Sequence, residues 1–397
     1  MNKSALVLSD SEQEFERCQQ ALSDRWHLTT SIDSSDAVAK LDAETFSMLL
    51  VSDSIDSDEL DCFEREAKRA LPGTPLIQFG HQSSSKEIAF RSPRDEWQLN
   101  PKKVDHEPIA DQLARTLLKQ QLKNDEGLLR LVPKIKTLPS WRDVYRKVVK
   151  EINSPNGSLA TVAELVEDDP ILTARILKTA NSAAFGFRRR ISDPEQAVML
   201  LGGERLKSIL IFTVVLSVSE YSQCPGFNPD RFWSRSVQAA ELARKIMKGN
   251  SKAQTQVDSA FTAGLVHDIG RLLMAVNIPE AYSAVLSAIE GDNSKLQTEE
   301  YRQLETSHTE LGAYILESWN LPYPILEAVL WHHSLERVPT EDLTPLSAVF
   351  AADAIIGEQR ANPDRVPSFE TTLFRQARDL FGEEQLESWY PTESDPI

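Results

Sequence analysis

The sequence predicts two domains of different fold class, an α/β domain over residues 1–123 and an all-α domain over residues 124–397. A length of 397 residues exceeds that of one typical hydrophobic core. Before residue 124, short apolar runs alternate with helix-like segments, and after it every periodic segment has helical spacing. This change of period at residue 124 predicts the domain boundary.

In the first domain, five apolar runs are predicted as strands and the amphipathic segments as helices. The strands are Ala5–Leu8, His27–Ile32, Phe46–Val51, Pro75–Phe79 and Glu96–Leu99, and the helices lie near residues 11–22, 35–43, 57–70, 84–91 and 107–122. Such alternation favours a doubly wound parallel sheet with helices on both faces. The run MLLV at 48–51 is typical of a central strand.

Two carboxylates follow predicted strands, Asp10 after the first and Asp53 after the third. Because function in open parallel sheets gathers at the carboxyl ends of strands, we expect both at one edge. With these residues the domain resembles a bacterial response-regulator receiver domain, whose fold is CheY-like, or flavodoxin-like. The resemblance implies that Asp53 accepts a phosphoryl group and that Asp10 lies in an acidic pocket for Mg²⁺. The alternative is that both residues only cap the following helices.

The first domain departs from the receiver pattern at three places. Ser9-Asp10 stands where the family has a pair of acids, Phe79 where it has Ser or Thr, and Asn100-Pro101 where it has Lys-Pro. The hydroxyl and ammonium groups that bind the phosphoryl group are therefore missing. We expect a degenerate receiver used for docking or dimerisation, with a working phospho-switch as the alternative.

Four of the seven histidines, with two aspartates, are grouped in the helical domain. They are His267, Asp268, His308, His332, His333 and Asp353. Imidazole and carboxylate groups bind Zn²⁺, Mn²⁺ or Fe, and separate helices can bring them to one bundle interior. Each also has a simpler explanation: His332-His333 as a pair at a helix C-terminus, His308 bonded to Glu305, Asp353 as a buried ion-pair partner. Their grouping indicates a shared polar pocket and a candidate divalent-metal site.

The order of motifs resembles the HD superfamily of metal-dependent phosphohydrolases and, over about residues 129–355, more closely its HDOD variant. The motifs are ANSAAFG at 180–186, AVMLLGGERLKSIL at 197–210, GLVHDIGRL at 264–272, HTELGAYILESWNLP at 308–322 and HH at 332–333. The resemblance implies an all-α bundle in which the His-Asp pair and the other histidines bind one or two metals. In HD enzymes a metal-bound hydroxide attacks phosphorus.

The helical domain departs from the HD pattern at its first ligand. The stretch FWSRSVQAAELA puts Arg235 or Ser236 where the superfamily has histidine, and HHSLERVPTED lacks a GYP-type loop. Arginine stays protonated and cannot ligate a metal, but its charge can replace the metal by pairing with Asp268. The resemblance therefore implies a bacterial signal-transduction protein, with a receiver-like input and a non-catalytic HDOD output. The alternatives are a metal-dependent phosphohydrolase of nucleotides or cyclic dinucleotides, and a pocket that binds a nucleotide without cleaving it.

Composition limits the partners and the compartment. A net charge of −17 disfavours direct nucleic-acid binding, and no apolar run reaches the length of a membrane-spanning helix. The three cysteines are far apart, and MNKSALVLSD lacks the pattern of a secretory signal, so we expect a cytoplasmic protein. The expected partners are signalling proteins, including those of cyclic-dinucleotide pathways. The apolar stripe of the helix predicted at 108–122 is expected to pack on its own sheet, with a homodimer surface as the alternative, and residues 105–128 are a candidate connector.

Overall fold

The computed structural model describes residues 4–390 except 23–25, 72–73, 75, 82–87, 92–97, 100–108, 138–142, 155, 186–189, 217–222, 251–252, 335–336, 338–342 and 362–370. These residues divide into an N-terminal unit, Met1–Gln121, and a C-terminal unit, Leu122–Ile397. The division lies two residues before the boundary predicted from the sequence.

The N-terminal unit is built on a sheet with the strand order β2-β1-β3-β4-β5-β6. Its strands are β1 (Ser4–Leu8), β2 (His27–Ser31), β3 (Met48–Ser52), β4 (Leu76–His81), β5 (Ile88–Arg91) and β6 (Gln98–Leu99). The first four are parallel: Ala5 of β1 pairs with Leu28 on one side and with Met48 on the other. Every residue of β3 is buried, as the apolar run MLLV predicted for an interior strand.

The prediction of an all-parallel sheet is wrong at its far edge. Residues 88–91, predicted within a helix near 84–91, form β5, which pairs antiparallel with β4, and β6 pairs antiparallel with β5. Only residues 82–87 separate β4 from β5, whereas a parallel crossover needs about a dozen residues or more. A short apolar run such as IAFR fits either a helix or a strand, so its period could not decide.

Helices α1 (Glu12–Leu22), α2 (Ser34–Ala43), α3 (Ser57–Ala70) and α4 (Ile109–Asn124) complete the N-terminal unit, with α4 running across the division. The side chains of Asp33 and Asp56 accept backbone hydrogen bonds at the starts of α2 and α3. Leu6 and Leu49, on one face of the sheet, pack with Phe63 of α3 in a single apolar core. The neighbouring residues of β1 and β3 on the other face are buried as well.

The described residues of the C-terminal unit form helices joined by turns and loops, with no strand among them. Its helices are α5 (Glu126–Leu131), α6 (Asp143–Ile152), α7 (Leu159–Glu167), α8 (Pro170–Ala180), α9 (Pro194–Leu201), α10 (Gly203–Leu216), α11 (Pro229–Asn250), α12 (Gln254–Val266), α13 (Ile269–Asn277), α14 (Pro279–Ala288), α15 (Leu296–Leu304), α16 (His308–Ser318), α17 (Tyr323–Trp331), α18 (Pro345–Ala361), α19 (Thr372–Phe381) and α20 (Glu383–Trp389). No helix in the described part of the chain is both long and apolar enough to cross a membrane.

Two glycines let the helices of the C-terminal unit approach closely. A Cβ atom on Gly264 of α12 would lie 2.8 Å from the carbonyl oxygen of Ala239 in α11. A Cβ atom on Gly270 of α13 would lie 2.0 Å from the carbonyl oxygen of His308 in α16. A side chain larger than that of glycine cannot fit at either point. The residues around His267 and Asp268 are therefore packed closely against both α11 and α16.

The three cysteines differ in burial, which predicts their reactivity. Burial, with Glu14 nearby, raises the pKa of the Cys18 thiol to about 12, and burial also raises the pKa of Cys224. Cys62 is exposed. Since the thiolate is the reactive form, we expect one thiol per folded chain to react rapidly with Ellman's reagent and three in urea.

The variant Cys62→Ser is the control for this labelling, and it should abolish the rapid reaction. Reaction of Cys18 at the rate of Cys62 would contradict the burial of Cys18 on α1.

Candidate functional site

Helix ends bring the candidate ligands together. His267 closes α12 and Asp268 opens α13, so the pair lies at the junction of two helices. His308 is the first residue of α16, and His332 closes α17 with His333 directly after it. From the middle of other helices, α18 supplies Asp353 and α11 supplies Arg235. The structure therefore places all seven residues that the sequence singled out for this pocket in one helical interior.

Three imidazoles surround the carboxylate of Asp268. The Nε2 atoms of His267, His308 and His332 lie 3.6, 3.4 and 3.7 Å from its oxygens. These distances exceed that of a hydrogen bond. One ligand atom from each of Asp268, His308, His332 and His333 lies within 4.8 Å of the others.

Hydrogen bonds fix which nitrogen of each ring carries the proton. The Nδ1 atoms of His267 and His332 lie 2.8 and 2.9 Å from the carbonyl oxygens of Gly264 and Val329. Because a carbonyl only accepts, Nδ1–H donates and the neutral ring turns its Nε2 lone pair into the pocket. Nε2 of His267, His308 and His332 is buried without a hydrogen-bond partner in the described residues.

A buried carboxylate that the sequence analysis missed orients His308. Glu300 accepts hydrogen bonds from Nδ1 of His308 at 2.5 Å and from its backbone N–H at 3.0 Å. Its other oxygen accepts one from the Tyr282 hydroxyl at 3.1 Å. A carboxylate behind an imidazole is the usual outer partner of a metal-binding histidine. The structure thus replaces the predicted contact of His308 with Glu305 by one with Glu300, a full helix turn further back on α15.

Arg235 lies in the pocket, but its main partner differs from the prediction. Its Nη2 atom is 2.5 Å from Oδ1 of Asp353, whereas its Nε atom is 4.0 Å from Oδ2 of Asp268. Asp268 is instead paired at 2.8 Å with Arg271, a residue missed in the sequence analysis. Arg271 follows Asp268 by three residues on the same helical turn. Its guanidinium group therefore lies next to the carboxylate of Asp268.

The charges in the pocket shift the pKa of each carboxyl group. Burial raises the pKa of Asp353, but Arg235 and His267 outweigh burial and hold it well below its usual range. Burial raises the pKa of Asp268 too, and here Arg271 and His267 reverse the effect. Both groups are therefore ionised at neutral pH, and each needs positive charge beside it.

The four imidazoles form two pairs that differ in the direction of their pKa shift. Burial lowers the pKa of His332 and His333 below its usual value, and neighbouring imidazoles add to this effect. Burial acts in the same direction on His267 and His308, but Asp268 and Glu300 respectively outweigh it and raise the pKa. Neutral His332 and His333 are in the form that binds a metal.

The donor set fits one divalent transition metal in half of the pocket. Asp268, His308, His332 and His333 offer three nitrogens and one oxygen, a set suited to Zn²⁺ or a similar ion. In the other half, the ion pair of Arg235 with Asp353 stands beside Nε2 of His267, which is 3.5 Å from Asp353. A second metal in this half would need Asp353 and His267 as ligands. The guanidinium group of Arg235 lies beside both of them instead.

Asp10 and Asp53 both lie at the carboxyl edge of the N-terminal sheet and are exposed. The hydroxyl of Ser54 donates to Asp10 at 2.6 Å, and the N–H of Asp53 donates to the carbonyl of Phe79. Phe79 is buried within β4, paired with Ser52, and offers no hydroxyl to this edge. The Asn100-Pro101 position lies outside the described residues.

A carboxylate that the sequence analysis missed, Glu14 of α1, also reaches this edge. One of its oxygens accepts hydrogen bonds from the hydroxyls of Ser9 at 2.7 Å and Ser52 at 2.5 Å. Ser52 in turn contacts the Ser54 hydroxyl at 2.6 Å. Glu14 and Asp10 are thus each held at this edge by a hydrogen bond from a serine hydroxyl. Ser9 follows a strand and Glu14 lies in a helix. Their separation of five residues matches no motif that would have predicted the contact.

Comparison with known proteins identifies the domain to which this helical fold belongs. Residues 138–335 match the family model of the HDOD domain, so the helical unit contains an HDOD domain. A crystal structure of an HDOD domain protein from Geobacter sulfurreducens, 22% identical, covers 68% of this chain and 93% of its own with a TM-score of 0.53. A chain from Shewanella amazonensis, provisionally described as a phosphohydrolase and also 22% identical, covers 69% and 96% with a TM-score of 0.50. At this identity both neighbours establish the fold.

Two curated relatives match part of the chain. An uncharacterized protein of Treponema pallidum is 23% identical over 226 residues, 57% of this chain and 43% of that protein. Ribonuclease Y of Fervidobacterium nodosum is 25% identical over 236 residues, 59% of this chain and 36% of that protein. The match thus spans less than half of the length of each relative.

Removing the positive charge of Arg235 should destabilise the protein strongly. In metal-free buffer we expect Arg235→Gln to lower the free energy of unfolding by about 3 kcal/mol, because it leaves a buried carboxylate without its partner. Arg130, 59% exposed in an ion pair with Glu305, provides the matched change Arg130→Gln, expected to cost at most about 1 kcal/mol.

Urea denaturation followed by circular dichroism measures both variants. Equal effects of the two substitutions would show that the Arg235–Asp353 pair does not hold the pocket together.

Proposed function

We propose that this chain is a signal-transduction protein in which a receiver-like input unit is joined to an HDOD output domain that acts by binding and not by hydrolysis. The observation that carries this proposal is the guanidinium of Arg235, which is inside the pocket and bound to Asp353 at 2.5 Å. The expected partners are signalling proteins, including those of cyclic-dinucleotide pathways, and a second copy of the chain.

Hydrolysis by an HD-type site needs an accessible metal-bound hydroxide, and the pocket favours neither access nor a second metal. His267, His308 and His332 have no exposed surface, and Asp268 and Asp353 have 3% and 1%. His333 is the partly exposed member of the set. Arginine, which carries its proton at every relevant pH, cannot take the place of a ligand.

A single metal is compatible with this role. When bound, it would supply Lewis acidity and lower the pKa of a coordinated water. Asp268, His308, His332 and His333 would hold it, with Glu300 behind His308. Since these ligands come from separate helix ends, a metal here would also stabilise the helical unit against unfolding.

A second candidate function is that of a metal-dependent phosphohydrolase of a nucleotide or cyclic dinucleotide. The buried Nε2 atoms that have no hydrogen-bond partner among the described residues favour it, because a metal centre needs such atoms and a structural polar cluster avoids them. The two candidates differ in the number of metals bound and in turnover.

Arg235→His tests which candidate is correct. We expect the wild-type chain, purified without a metal-affinity tag, to bind at most one transition metal and to hydrolyse neither phosphomonoesters and nucleotides nor the phosphodiester bonds of cyclic dinucleotides. Arg235→His restores a ligand to the second half of the pocket and should raise the metal content to two per chain. Elemental analysis measures the metal, a phosphate-release assay measures monoester hydrolysis, and chromatography of the linear products measures cleavage of cyclic dinucleotides.

Arg235→Gln is the control, since it removes the charge without adding a ligand and should not gain a metal. Turnover by the wild-type chain that disappears in His332→Ala would establish the hydrolase instead.

For the input unit we propose a degenerate receiver. The parallel order β2-β1-β3-β4 is shared with flavodoxin-like folds, and Asp53 follows β3 as the phosphorylated aspartate does in receivers. The serine hydroxyls bound to Glu14 and Asp10 satisfy the acids that would otherwise attract Mg²⁺. This unit would then serve as a docking element and not as a phosphorylation switch.

Beryllofluoride, a phosphoryl mimic, tests the input unit. With Mg²⁺ present we expect no change in melting temperature or oligomeric state of the wild-type chain, because the hydroxyl and ammonium partners of the phosphoryl group are missing. Differential scanning fluorimetry and size-exclusion chromatography measure the two properties. A shift in the wild type that is absent in Asp53→Asn would identify a working switch.

A further inference from the structure

The segment that follows α4 contacts the turn that carries His308. Asp125 begins this segment, and its side chain accepts a hydrogen bond from the N–H of Leu128 at 2.7 Å, which fixes the start of α5. From here on we restrict the name connector to residues 125–131, which overlap the end of the connector predicted at residues 105–128. Helix α4 crosses the division between the two units and ends at Asn124, directly before the connector.

Gly127 holds the connector against the backbone of Glu305. A Cβ atom at position 127 would lie 2.0 Å from the carbonyl oxygen of Glu305 and 2.5 Å from its carbonyl carbon. Only glycine permits this approach, so α5 rests directly on the turn. On the outside of the same contact, Nη1 of Arg130 lies 2.7 Å from Oε2 of Glu305.

The turn itself has little freedom to absorb a displacement. Glu305 has a φ of 63°, in the left-handed region that side chains other than glycine seldom adopt. Two residues later, Ser307 begins α16 in a capping box with Glu310, and the hydroxyl of Tyr301 donates to Glu310 as well. Thr306 and Ser307 have no exposed surface. A shift at Glu305 is therefore passed on to the start of α16.

His308 is attached to this turn through both its backbone and its ring. Its N–H and its Nδ1 atom bind the same oxygen of Glu300, at 3.0 and 2.5 Å. Backbone and imidazole thus move as one body, and Nε2 faces Asp268 at the far end. A continuous line of contacts therefore leads from the end of α4 to the pocket. It passes through the connector (residues 125–131), the turn at residues 305–307 and His308.

We propose that the connector and the pocket are energetically coupled through the turn at residues 305–307. The packing of α5 sets the position of the His308 imidazole, and a change in the pocket alters the packing of α5. This inference deepens the proposed function, on which it rests for its regulatory meaning: it names Gly127, Glu305 and Glu300 as the positioning residues through which an input reaches the HDOD pocket.

Hydrogen exchange on the full-length chain tests the coupling in both directions. Gly127→Ala should speed amide exchange in residues 305–311 by about tenfold, within the range of typical coupling energies. In the reverse direction, Glu300→Gln should speed exchange in the connector to a similar extent. Exchange of α20, residues 383–389, serves as an internal reference for global unfolding.

Two matched controls accompany these variants. At Gly249 of α11 a Cβ atom would meet nothing within 4 Å, so Gly249→Ala should leave residues 305–311 unchanged. Glu327, like Glu300, is buried and accepts a hydrogen bond from a tyrosine hydroxyl, at 2.9 Å, so Glu327→Gln should leave the connector unchanged.

The proposal is overturned if Gly127→Ala speeds exchange only in the connector, or if α20 speeds up equally. It is also overturned if Glu300→Gln leaves the connector unchanged. Should Gly127→Ala not fold, the Glu300→Gln result decides alone. The exchange measurement requires neither metal nor turnover. Phosphate release by the wild type would therefore refute the proposed function but would leave the test of the coupling valid.

Discussion

The balance of charge inside one helical pocket determines how the C-terminal unit is arranged. Two ionised carboxylates, Asp268 and Asp353, are buried there, and each is paired with its own arginine, Arg271 and Arg235. Removing a charge from water costs several kcal/mol unless a partner compensates it, so neither member of a pair can move alone. The pairs tie α11 and α18 together and fix the orientation of Asp268 at the start of α13.

Around these pairs, histidines are oriented by acceptors behind them and not by the carboxylate in front. Backbone carbonyls hold His267 and His332, and Glu300 holds His308, so that three Nε2 atoms face the carboxylate of Asp268. This arrangement suits a cation. Arg235 supplies one within the chain, and the ligand atoms of Asp268, His308, His332 and His333 lie close enough together to hold a metal ion. In the N-terminal unit, serine hydroxyls bound to Glu14 satisfy the acids instead.

Local signals in the sequence predicted many elements correctly. The run MLLV at 48–51 was predicted as a central strand because it is apolar throughout, and β3 is an interior strand in the structure; likewise, the side chains of Ser158 and Asp193 begin α7 and α9 through hydrogen bonds to residues nearby in the chain. The wrong prediction, a helix near 84–91, concerns a run too short for its period to distinguish helix from strand. Glu300 and Glu14 were missed for a different reason. Each accepts a hydrogen bond from a residue of another element, and such a contact cannot be predicted from spacing in the sequence.

The sequence by itself determined the division into an α/β and a helical unit, and the set of imidazoles and carboxylates available to one pocket, because periodicity, caps and residue chemistry are local properties. Tertiary structure alone decided which charges pair. It assigned Arg235 to Asp353, leaving Asp268 with its local partner Arg271, and it placed Gly127 beneath the turn before His308. Such choices depend on distances of a few ångströms between helices far apart in the chain, and the strength of a buried ion pair depends on those distances.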